Sequence, residues 1–168
     1  DVIGGRSAAL ARFMASYTLL ARMPAPAPAP VDVGEWIARI ARMETRVRVI
    51  VEPGPPVTLA ADADQLDQLL INIIRNAADA SLETGGGVTV AWSAEESFVD
   101  ISIRDEGFGL PETANLFVPF FTTKPGGSGI GLVLSRQIAE AHGGSLTLID
   151  GRGCEARVHL PIQSILYK

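Results

Sequence analysis

The sequence predicts an α+β domain built as a two-layer α/β sandwich, in which a mixed, mostly antiparallel sheet packs on about three helices. Its 168 residues are 47% hydrophobic and 20% charged, which is enough apolar material for one folded core. Several short segments alternate polar and apolar residues as strands do, and longer ones repeat apolar residues every three or four positions as helices do. Strands on one side and helices on the other give two layers.

The first 23 residues are expected to form an N-terminal helical arm. The apolar residues Ile3, Leu10 and Tyr17 recur every seven positions and share a seam with Phe13 and Leu20. Such a seam packs either on another helix, in a coiled pair or bundle, or back on the helix's own domain. The sequence leaves both arrangements open.

A proline-alanine stretch follows the arm. Residues 24–30 read PAPAPAP, and alternating prolines favour a stiff polyproline II spacer of roughly 20 Å. The chain is therefore expected to divide into a helix (1–23), a linker (24–30) and a globular body (31–168).

The elements of the body follow from local periodicity and from glycine and proline punctuation. Helices are expected from Asp32 over DVGEWIARIARM, from about Asp62 to Leu82, and from Gly129 to His142. Strands are expected over RVRVIVE, near Val57 to Ala60, and in two hairpins, GVTVAW with FVDISIRD and SLTLID with EARVHLP.

The long middle helix carries a polar edge beside its apolar stripe. The stripe that should face the sheet consists of Leu66, Leu69, Leu70, Ile73, Ile74 and Ala77, and the edge of Gln68, Asn72, Asn76 and Asp79. Asparagine lowers helix propensity, so each amide either bonds a neighbouring loop or serves a ligand. A neutral amide oxygen can bind Mg²⁺ without burying a charge beside polyphosphate.

The segment before the last helix is rich in glycine, yet the common phosphate motifs do not fit it. A P-loop needs Lys and Ser or Thr after its last glycine, whereas Gly131 is followed by Leu132 and Val133. The dinucleotide fingerprint follows a strand directly, whereas Gly127, Gly129 and Gly131 follow a long loop.

Four ordered motifs nevertheless resemble those of sensor histidine kinases, whose catalytic domain belongs with the gyrase and mismatch-repair ATPases. DQLLINIIRNAADA resembles the N box, DEGFG the first glycine box, FVPFFTTK the F box, and GGSGIGL the second glycine box. The resemblance covers residues 46–161. RFMASYTLLARMP is similar, more weakly, to the second dimerisation helix of nitrogen-regulation-type kinases.

The resemblance implies a histidine-kinase-type ATPase fold that binds ATP or ADP with Mg²⁺. Asp105 would accept a hydrogen bond from the adenine amine, Asn76 would ligate Mg²⁺, and Asn72 would help orient the reacting groups. Asn72, Asn76 and Lys124 are the implied catalytic residues. The remaining implied nucleotide contacts are Gly107, Gly109, Phe120, Thr122, Thr123, Gly127, Ser128, Gly129, Ile130, Gly131 and Leu132. Of Phe120 and Phe121, at least one ring is also expected to be core.

Two residues depart from the family pattern. Asp79 stands where the family often has a basic residue, so Arg75 or Lys124 takes over phosphate contact or Asp79 faces away. Cys154 stands in a glycine box that often ends in Thr, and no activating group is near in sequence, so we expect a packing residue.

The chain carries two histidines, His142 and His159, both downstream of the nucleotide motifs and both expected to be structural. The implied function is transfer of the ATP γ-phosphoryl group to a histidine elsewhere, for relay to a response-regulator aspartate. The alternatives are a clamp ATPase of the gyrase and mismatch-repair type, or a nucleotide-binding regulator. The resemblance also allows a homodimer through the N-terminal helix.

Net charge, cysteine content and hydropathy limit the kinds of partner and the cellular location expected for the domain. The net charge of -5 argues against nucleic acid as the main partner. A single cysteine excludes an internal disulfide, and no apolar run approaches the roughly 20 residues of a membrane span. We expect a cytoplasmic piece of a longer protein, whose parent can be anchored in a membrane.

Overall fold

A five-stranded sheet covered by helices on one face dominates the computed structural model, which describes residues 2–125 and 127–163. The helices are α1 (Val2–Ala21), α2 (Val33–Ala41), α3 (Ala63–Leu82) and α4 (Gly131–Ala141). The strands are β1 (Ala29–Asp32), β2 (Val49–Val51), β3 (Thr58–Ala61), β4 (Val88–Ala94), β5 (Phe98–Asp105), β6 (Ser145–Gly151) and β7 (Gly153–Pro161).

The strand order of the main sheet is β2-β4-β5-β7-β6. Only the pairing of β2 with β4 is parallel, and the other three pairings are antiparallel. A separate antiparallel ribbon joins β1 to β3. The predicted mixed, mostly antiparallel sheet in a two-layer α/β arrangement is confirmed.

The core lies between the sheet and the helices α2, α3 and α4. The predicted apolar stripe of α3 is buried throughout, with relative exposures of 5% or less. On the central strand β5, Val99, Ile101 and Ile103 are buried and alternate with more exposed residues. Asp105 continues this alternation, so its carboxylate faces the helix layer at the end of the strand.

One unpredicted strand and two changed boundaries are the main differences from the sequence prediction. β1 was not predicted, because its pairing of Pro30 with Ala60 lies within the proline-alanine stretch, where local pattern indicates polyproline II. The strand predicted over RVRVIVE shortens to Val49–Val51 because only these residues pair with β4. α4 begins at Gly131, since Gly129 has a φ of 67° that no α-helix accepts.

The linker lies along the start of α3. The N–H of Ala27 donates to Oδ2 of Asp62 at 3.0 Å, and the side-chain amide of Gln65 donates to the carbonyl of Pro24 at 2.9 Å. These two contacts fix the path of the proline-alanine stretch. The division of the chain at residues 23 and 30 stays a prediction.

The arm α1 contacts the body through aromatic rings. The rings of Phe13 and Tyr17 lie 4.5 and 6.4 Å from the ring of Phe120. Leu10 and Met14 remain more than half exposed. No helix in the described part of the chain is long and apolar enough to cross a membrane.

Candidate functional site

A cavity of about 470 Å³ lies between α3, the inner face of the sheet and the loop that joins β5 to α4. This loop, residues 106–130, contains no helix or strand among its described residues. A volume of several hundred Å³ is typical of a site for a small organic ligand. The lining combines an apolar end, a polar end and the start of a helix.

The apolar end contains one buried carboxylate. Its apolar walls come from α3 and three strands, namely Ile73, Ala77, Ile103, Leu148 and Ala156. Asp105 is 8% exposed there, and its Oδ1 accepts hydrogen bonds from the N–H groups of Gly107 at 2.9 Å and Cys154 at 3.0 Å. Its Oδ2 accepts none from the described residues. A planar apolar ligand with an N–H donor at its edge therefore matches this end.

Cys154 lies at the wall of the cavity and is not activated. Burial, together with the nearby charges of Asp105 and Asp150, raises the pKa of its thiol to about 12. A thiolate is the reactive form of cysteine, and at neutral pH this residue holds almost none. The predicted packing role of Cys154 agrees with this environment.

The polar end is built by α3 and by the lysine of the loop. The Nζ of Lys124 donates to Oδ1 of Asn76 at 3.2 Å and to Oδ2 of Asp79 at 2.9 Å. Arg46 donates to the other oxygen of Asp79 at 2.7 Å. Asp79 therefore faces the cavity and binds two cationic side chains, and one of them, Lys124, also contacts Asn76.

The carboxylate of Asp79 stays charged in this arrangement. Burial alone would raise the pKa of Asp79, but the hydrogen bonds from Lys124 and Arg46 outweigh burial and lower it below the ordinary aspartate value. At neutral pH the polar end therefore presents an amide oxygen and a full negative charge to any cation.

The start of α4 forms the third part of the lining. Gly131 and Leu132 line the cavity, and Ile130, at the cap position, makes no side-chain hydrogen bond to the first turn. The N–H groups of that turn have no acceptor within the helix, and the helix dipole adds partial positive charge. This end of the helix suits an anion in the cavity, where such groups commonly bind phosphate.

Gly129 connects the end of the loop to its middle, at Phe120. The N–H of Phe120 donates to the carbonyl of Gly129 at 2.9 Å, and a Cβ on Gly129 would lie 2.5 Å from the carbonyl carbon of Phe120. Gly129 also has a φ of 67°, so both conformation and space require glycine. Phe120 itself has a φ of 65°, which is rare for a residue with a side chain.

The structure brings most of the predicted nucleotide residues together. Those that line the cavity are Asn72, Asn76, Asp105, Gly109, Thr122, Thr123, Lys124, Gly127, Ser128, Gly129, Gly131 and Leu132. Asn72 also donates its amide to the carbonyl of Gly131 at 3.4 Å, which connects α3 to the start of α4. Their roles toward a nucleotide stay predictions.

Three predicted residues do not line the cavity. Gly107 packs on α3, where an added Cβ would lie 2.8 Å from that of Ala80. Ile130 is 3% exposed and belongs to the core. Phe120 turns its ring toward Phe13 and Tyr17, while its neighbour Phe121 lines the cavity.

Sequence reasoning missed several lining residues because they are ordinary apolar positions. Leu148 and Ala156 are paired neighbours on β6 and β7, and only the sheet register places them beside Asp105. Leu110 and Leu116 come from the irregular loop. The alternation of β6 could have indicated Leu148, since Leu146 two residues earlier is buried.

The two histidines are held away from the cavity. His142 is 8% exposed, and its Nε2 accepts the N–H of Asp62 at 3.1 Å, so its Nδ1 donates to the carbonyl of Ile138 at 2.8 Å. Nδ1 of His159 pairs with Asp100 at 2.7 Å, and its ring stacks on Phe98. Neither lines the cavity, in agreement with structural roles.

Comparison with known proteins decides the family. Residues 61–164, which include α3, the cavity and α4, match the family described as histidine kinase-, DNA gyrase B- and HSP90-like ATPase. The chain belongs to this family. The relatives described below are sensor proteins and sensor histidine kinases, so this domain corresponds to the catalytic ATP-binding domain of a sensor histidine kinase.

One curated relative and two solved structures illustrate the likeness. Sensor protein FixL of Bradyrhizobium diazoefficiens is 35% identical over 114 residues, which are 66% of this chain and 22% of FixL. The mycobacterial sensor histidine kinase MprB superimposes with a TM-score of 0.70 at 29% identity, covering 80% of this chain and 97% of that one.

Full-length ShkA in complex with AMPPNP superimposes with a TM-score of 0.78 at 27% identity, covering 90% of this chain and 35% of ShkA. The chain thus spans about a fifth of the length of the curated relative and about a third of ShkA. Its fold and family agree with the sequence prediction, including the resemblance to sensor kinases.

Proposed function

We propose that this domain binds ATP with Mg²⁺ and transfers the γ-phosphoryl group to a histidine on a separate helical segment of the parent kinase, for relay to a response-regulator aspartate. One observation carries the proposal. A single cavity places the buried Asp105 carboxylate at an apolar end, and places Asn76, Lys124 and the uncapped start of α4 at the other end. This is the polarity of an adenine nucleotide.

Asp105 is the residue that selects the base. Its Oδ1 is held by two backbone N–H groups, so the carboxylate is fixed in one orientation. Oδ2 then accepts the exocyclic amine of adenine, whereas guanine presents an oxygen at the corresponding edge. Ile103, Leu148 and Ala156 surround the ring with apolar contacts.

The phosphates lie against the start of α4 and Lys124. The N–H groups of the first turn donate to phosphate oxygens, and the Lys124 ammonium neutralises their charge. Ser128, Gly129 and Gly131 allow the backbone to approach, since all three line the cavity. The AMPPNP bound to the full-length ShkA structure supports nucleotide binding by the same fold.

The residues at the polar end fit a magnesium ion. Asn76 Oδ1 and Asp79 Oδ2 already contact one cation, the Lys124 ammonium, and oxygen donors are those that Mg²⁺ prefers. Asn76 would hold the ion, which when bound neutralises charge that develops on the phosphates during transfer. Asn72, one turn earlier on α3, faces the cavity and orients the reacting groups.

The parent protein supplies the acceptor and the partners in this proposal. His142 and His159 make structural contacts remote from the cavity lining, so the phosphorylated imidazole comes from elsewhere. The exposed apolar side chains of α1, which include Leu10 and Tyr17 of the predicted seam and the neighbouring Met14, are the surface on which a second copy would form a homodimer. The domain works on the cytoplasmic side, whether or not the parent is anchored in a membrane.

Labelled ATP tests the transfer. The protein is incubated with γ-labelled ATP and Mg²⁺, alone and with a separately produced dimerisation hairpin that carries the acceptor histidine. We expect label on the hairpin only, lost on acid treatment because phosphohistidine is acid-labile, and abolished by Asn76→Ala. Glu96→Ala, an exposed substitution in the β4–β5 turn, should transfer normally.

Three outcomes of this assay contradict the proposal in different ways. Acid-labile label on the protein alone would show that His142 or His159 is an acceptor. Release of phosphate with no label on the hairpin would move the domain to a clamp-type ATPase, and bound but unreacted ATP would make it a regulator.

A further inference from the structure

Asp79 lies beside Asn76, the residue proposed to hold Mg²⁺, and its own role toward the bound metal is still unassigned. Asn76 and Asp79 lie three residues apart on α3, so their side chains share one face of the helix. Both oxygens contact the same ammonium, with Lys124 Nζ at 3.2 Å from Asn76 and at 2.9 Å from Asp79. Two protein oxygens therefore converge on one cation at the polar end of the cavity.

Arg46 fixes the orientation of the Asp79 carboxylate. It donates to Oδ1 of Asp79 at 2.7 Å and pairs with Glu44 at the same distance. Oδ1 is therefore occupied from outside the cavity, and Oδ2 is directed toward the oxygen of Asn76. Asp79 therefore supplies one preoriented oxygen of a two-oxygen cation site, and it is not a freely solvated surface acid.

A carboxylate beside polyphosphate is repelled unless a cation lies between them. The described lining contains two basic residues, Lys124 and Arg75, and of these only Lys124 contacts Asp79. When phosphates draw Lys124 toward themselves, Asp79 loses this partner. A second cation is then needed at the same position.

We propose that Asn76 Oδ1 and Asp79 Oδ2 form one cation site, occupied in turn by the Lys124 ammonium and by the Mg²⁺ that accompanies the nucleotide. Asp79 holds the metal directly or through a metal-bound water, since Mg²⁺ in proteins keeps several waters. The metal displaces Lys124, which then serves the phosphates. This inference rests on the proposed nucleotide site and adds Asp79 to its metal-binding residues.

If Lys124 and Mg²⁺ compete for one site, substitutions of Asp79 and of Lys124 change Mg²⁺ binding in opposite directions. Removing the charge of Asp79 weakens the binding of Mg²⁺. Removing the ammonium of Lys124 strengthens it, because the competing cation is gone. If Lys124 only neutralised phosphate, its removal would strengthen metal binding by the same factor with or without the Asp79→Asn substitution, because only charge repulsion is relieved. For a shared site the factor becomes smaller in the Asp79→Asn background, so the two single variants and their combination separate a shared site from independent contacts.

Calorimetric titration of ADP at a series of Mg²⁺ concentrations, including metal-free EDTA, tests the site in the intact chain. The variants are Asp79→Asn, Lys124→Met and their combination, with Glu83→Gln as the control, because Glu83 is an exposed acid at the end of the same helix. Circular dichroism melts verify that each variant is folded.

Asp79→Asn should lose about threefold or more of the gain in ADP affinity that Mg²⁺ gives, and should bind metal-free ADP no more weakly than the unchanged protein. Lys124→Met should lower the half-saturating Mg²⁺ concentration about threefold or more, although its ADP affinity at saturating Mg²⁺ falls. Glu83→Gln should leave all of these values unchanged.

An Asp79→Asn variant that keeps the full gain from Mg²⁺ overturns the proposal. So does a Lys124→Met substitution that leaves the half-saturating Mg²⁺ concentration the same or raises it, or that lowers it by the same factor in the Asp79→Asn background. Failure of the unchanged protein to bind ADP at any Mg²⁺ concentration would instead overturn the proposed function itself, so the two failures are distinguishable.

Discussion

Asp105 shows how a single buried residue can determine which base a site accepts. Two backbone N–H groups hold one of its oxygens, which offsets the cost of burying the charge and leaves the other oxygen available. The direction of the Asp105 side chain follows from its position in β5, because it is the last of the alternate residues that face the helix layer. One residue earlier, Arg104 faces the exposed side of the sheet and could not reach the cavity.

We predict that Asp105→Asn weakens ADP binding about tenfold or more, because a hydrogen bond to a charged acceptor contributes about 1.5–3 kcal/mol. The asparagine oxygen can still accept from the backbone N–H groups, so folding should survive. Calorimetry with ADP measures the loss, and Asp64→Ala, an exposed substitution at the start of α3, serves as the control. Equal affinities for ADP would remove Asp105 from the site.

At the scale of elements, α3 carries the polar end of the site and is anchored at its start. Asp62 is the N-cap, with one oxygen accepting the N–H of Gln65 at 3.1 Å and the other accepting that of Ala27 at 3.0 Å. These backbone hydrogen bonds, led by that of Ala27, lower the pKa of Asp62. Asp62 thereby connects the linker, α3 and, through its own N–H, His142.

Asp62→Ala is expected to reduce the free energy of unfolding by about 1 kcal/mol, the usual effect of losing an N-cap, whereas Asp62→Asn should cost less because asparagine also caps. Since the folded pKa is lowered, the charge stabilises the protein fully above the ordinary aspartate value of 3.8 and loses that effect as pH falls through the folded value. Urea unfolding at pH 7 and in acid measures both effects.

Asp62→Asn should remove this part of the acid sensitivity. Asp64→Ala, in the same helical turn but not at the cap, should change the free energy of unfolding by no more than about 0.5 kcal/mol. If Asp62→Ala behaves like Asp64→Ala, the cap contributes nothing measurable to α3.

The β5–α4 loop is the element expected to respond to nucleotide. We predict that residues 111–127 exchange amide hydrogens quickly and are protected by an ATP analogue with Mg²⁺, because the described residues of this segment form no helix or strand and include Thr122, Thr123 and Lys124 of the cavity. Hydrogen exchange measured by mass spectrometry checks the prediction. The strand β4, which pairs with β5 but contributes no residue to the cavity lining, provides an internal control, since its exchange should not change.

Gly129→Ala offers a matched test of the same loop. A Cβ there would collide with the backbone of Phe120, so nucleotide should no longer protect residues 111–127. Gly151→Ala, where an added Cβ meets nothing within 4 Å, should behave like the unchanged protein. Equal protection in both variants would contradict the close approach of Gly129 to Phe120.

At the scale of the whole molecule, local pattern predicted the two layers, and the resemblance of the four motifs predicted many of the residues that line the cavity. The stripe of α3, the alternation of β5 and the two hairpins are periodic, and four ordered motifs indicated the family. β1 could not be predicted, since its pairing with β3 forms between segments about thirty residues apart within a stretch of prolines. The contact of Phe120 with α1 is likewise long-range.

The orientation of Asp79 is another feature that local sequence pattern could not predict. Its place on the polar edge of α3 was evident from spacing, but its partners Arg46 and Lys124 come from segments 33 and 45 residues away. Local reasoning left open whether Asp79 faces the site, and only the tertiary arrangement decides it. The tertiary fold also places the apolar end, with Asp105, and the polar end, with Asn76 and Lys124, in one cavity of about 470 Å³.

Titration of ADP into the unchanged protein, with GDP in a parallel experiment and Mg²⁺ in both, tests the central claim that this cavity is an adenine-nucleotide site. We predict binding of one ADP per chain, weakened when Mg²⁺ is removed by EDTA, and at least about tenfold weaker binding of GDP, because Asp105 can only accept hydrogen bonds. No heat of ADP binding from folded protein, or equal affinity for GDP, would contradict the claim.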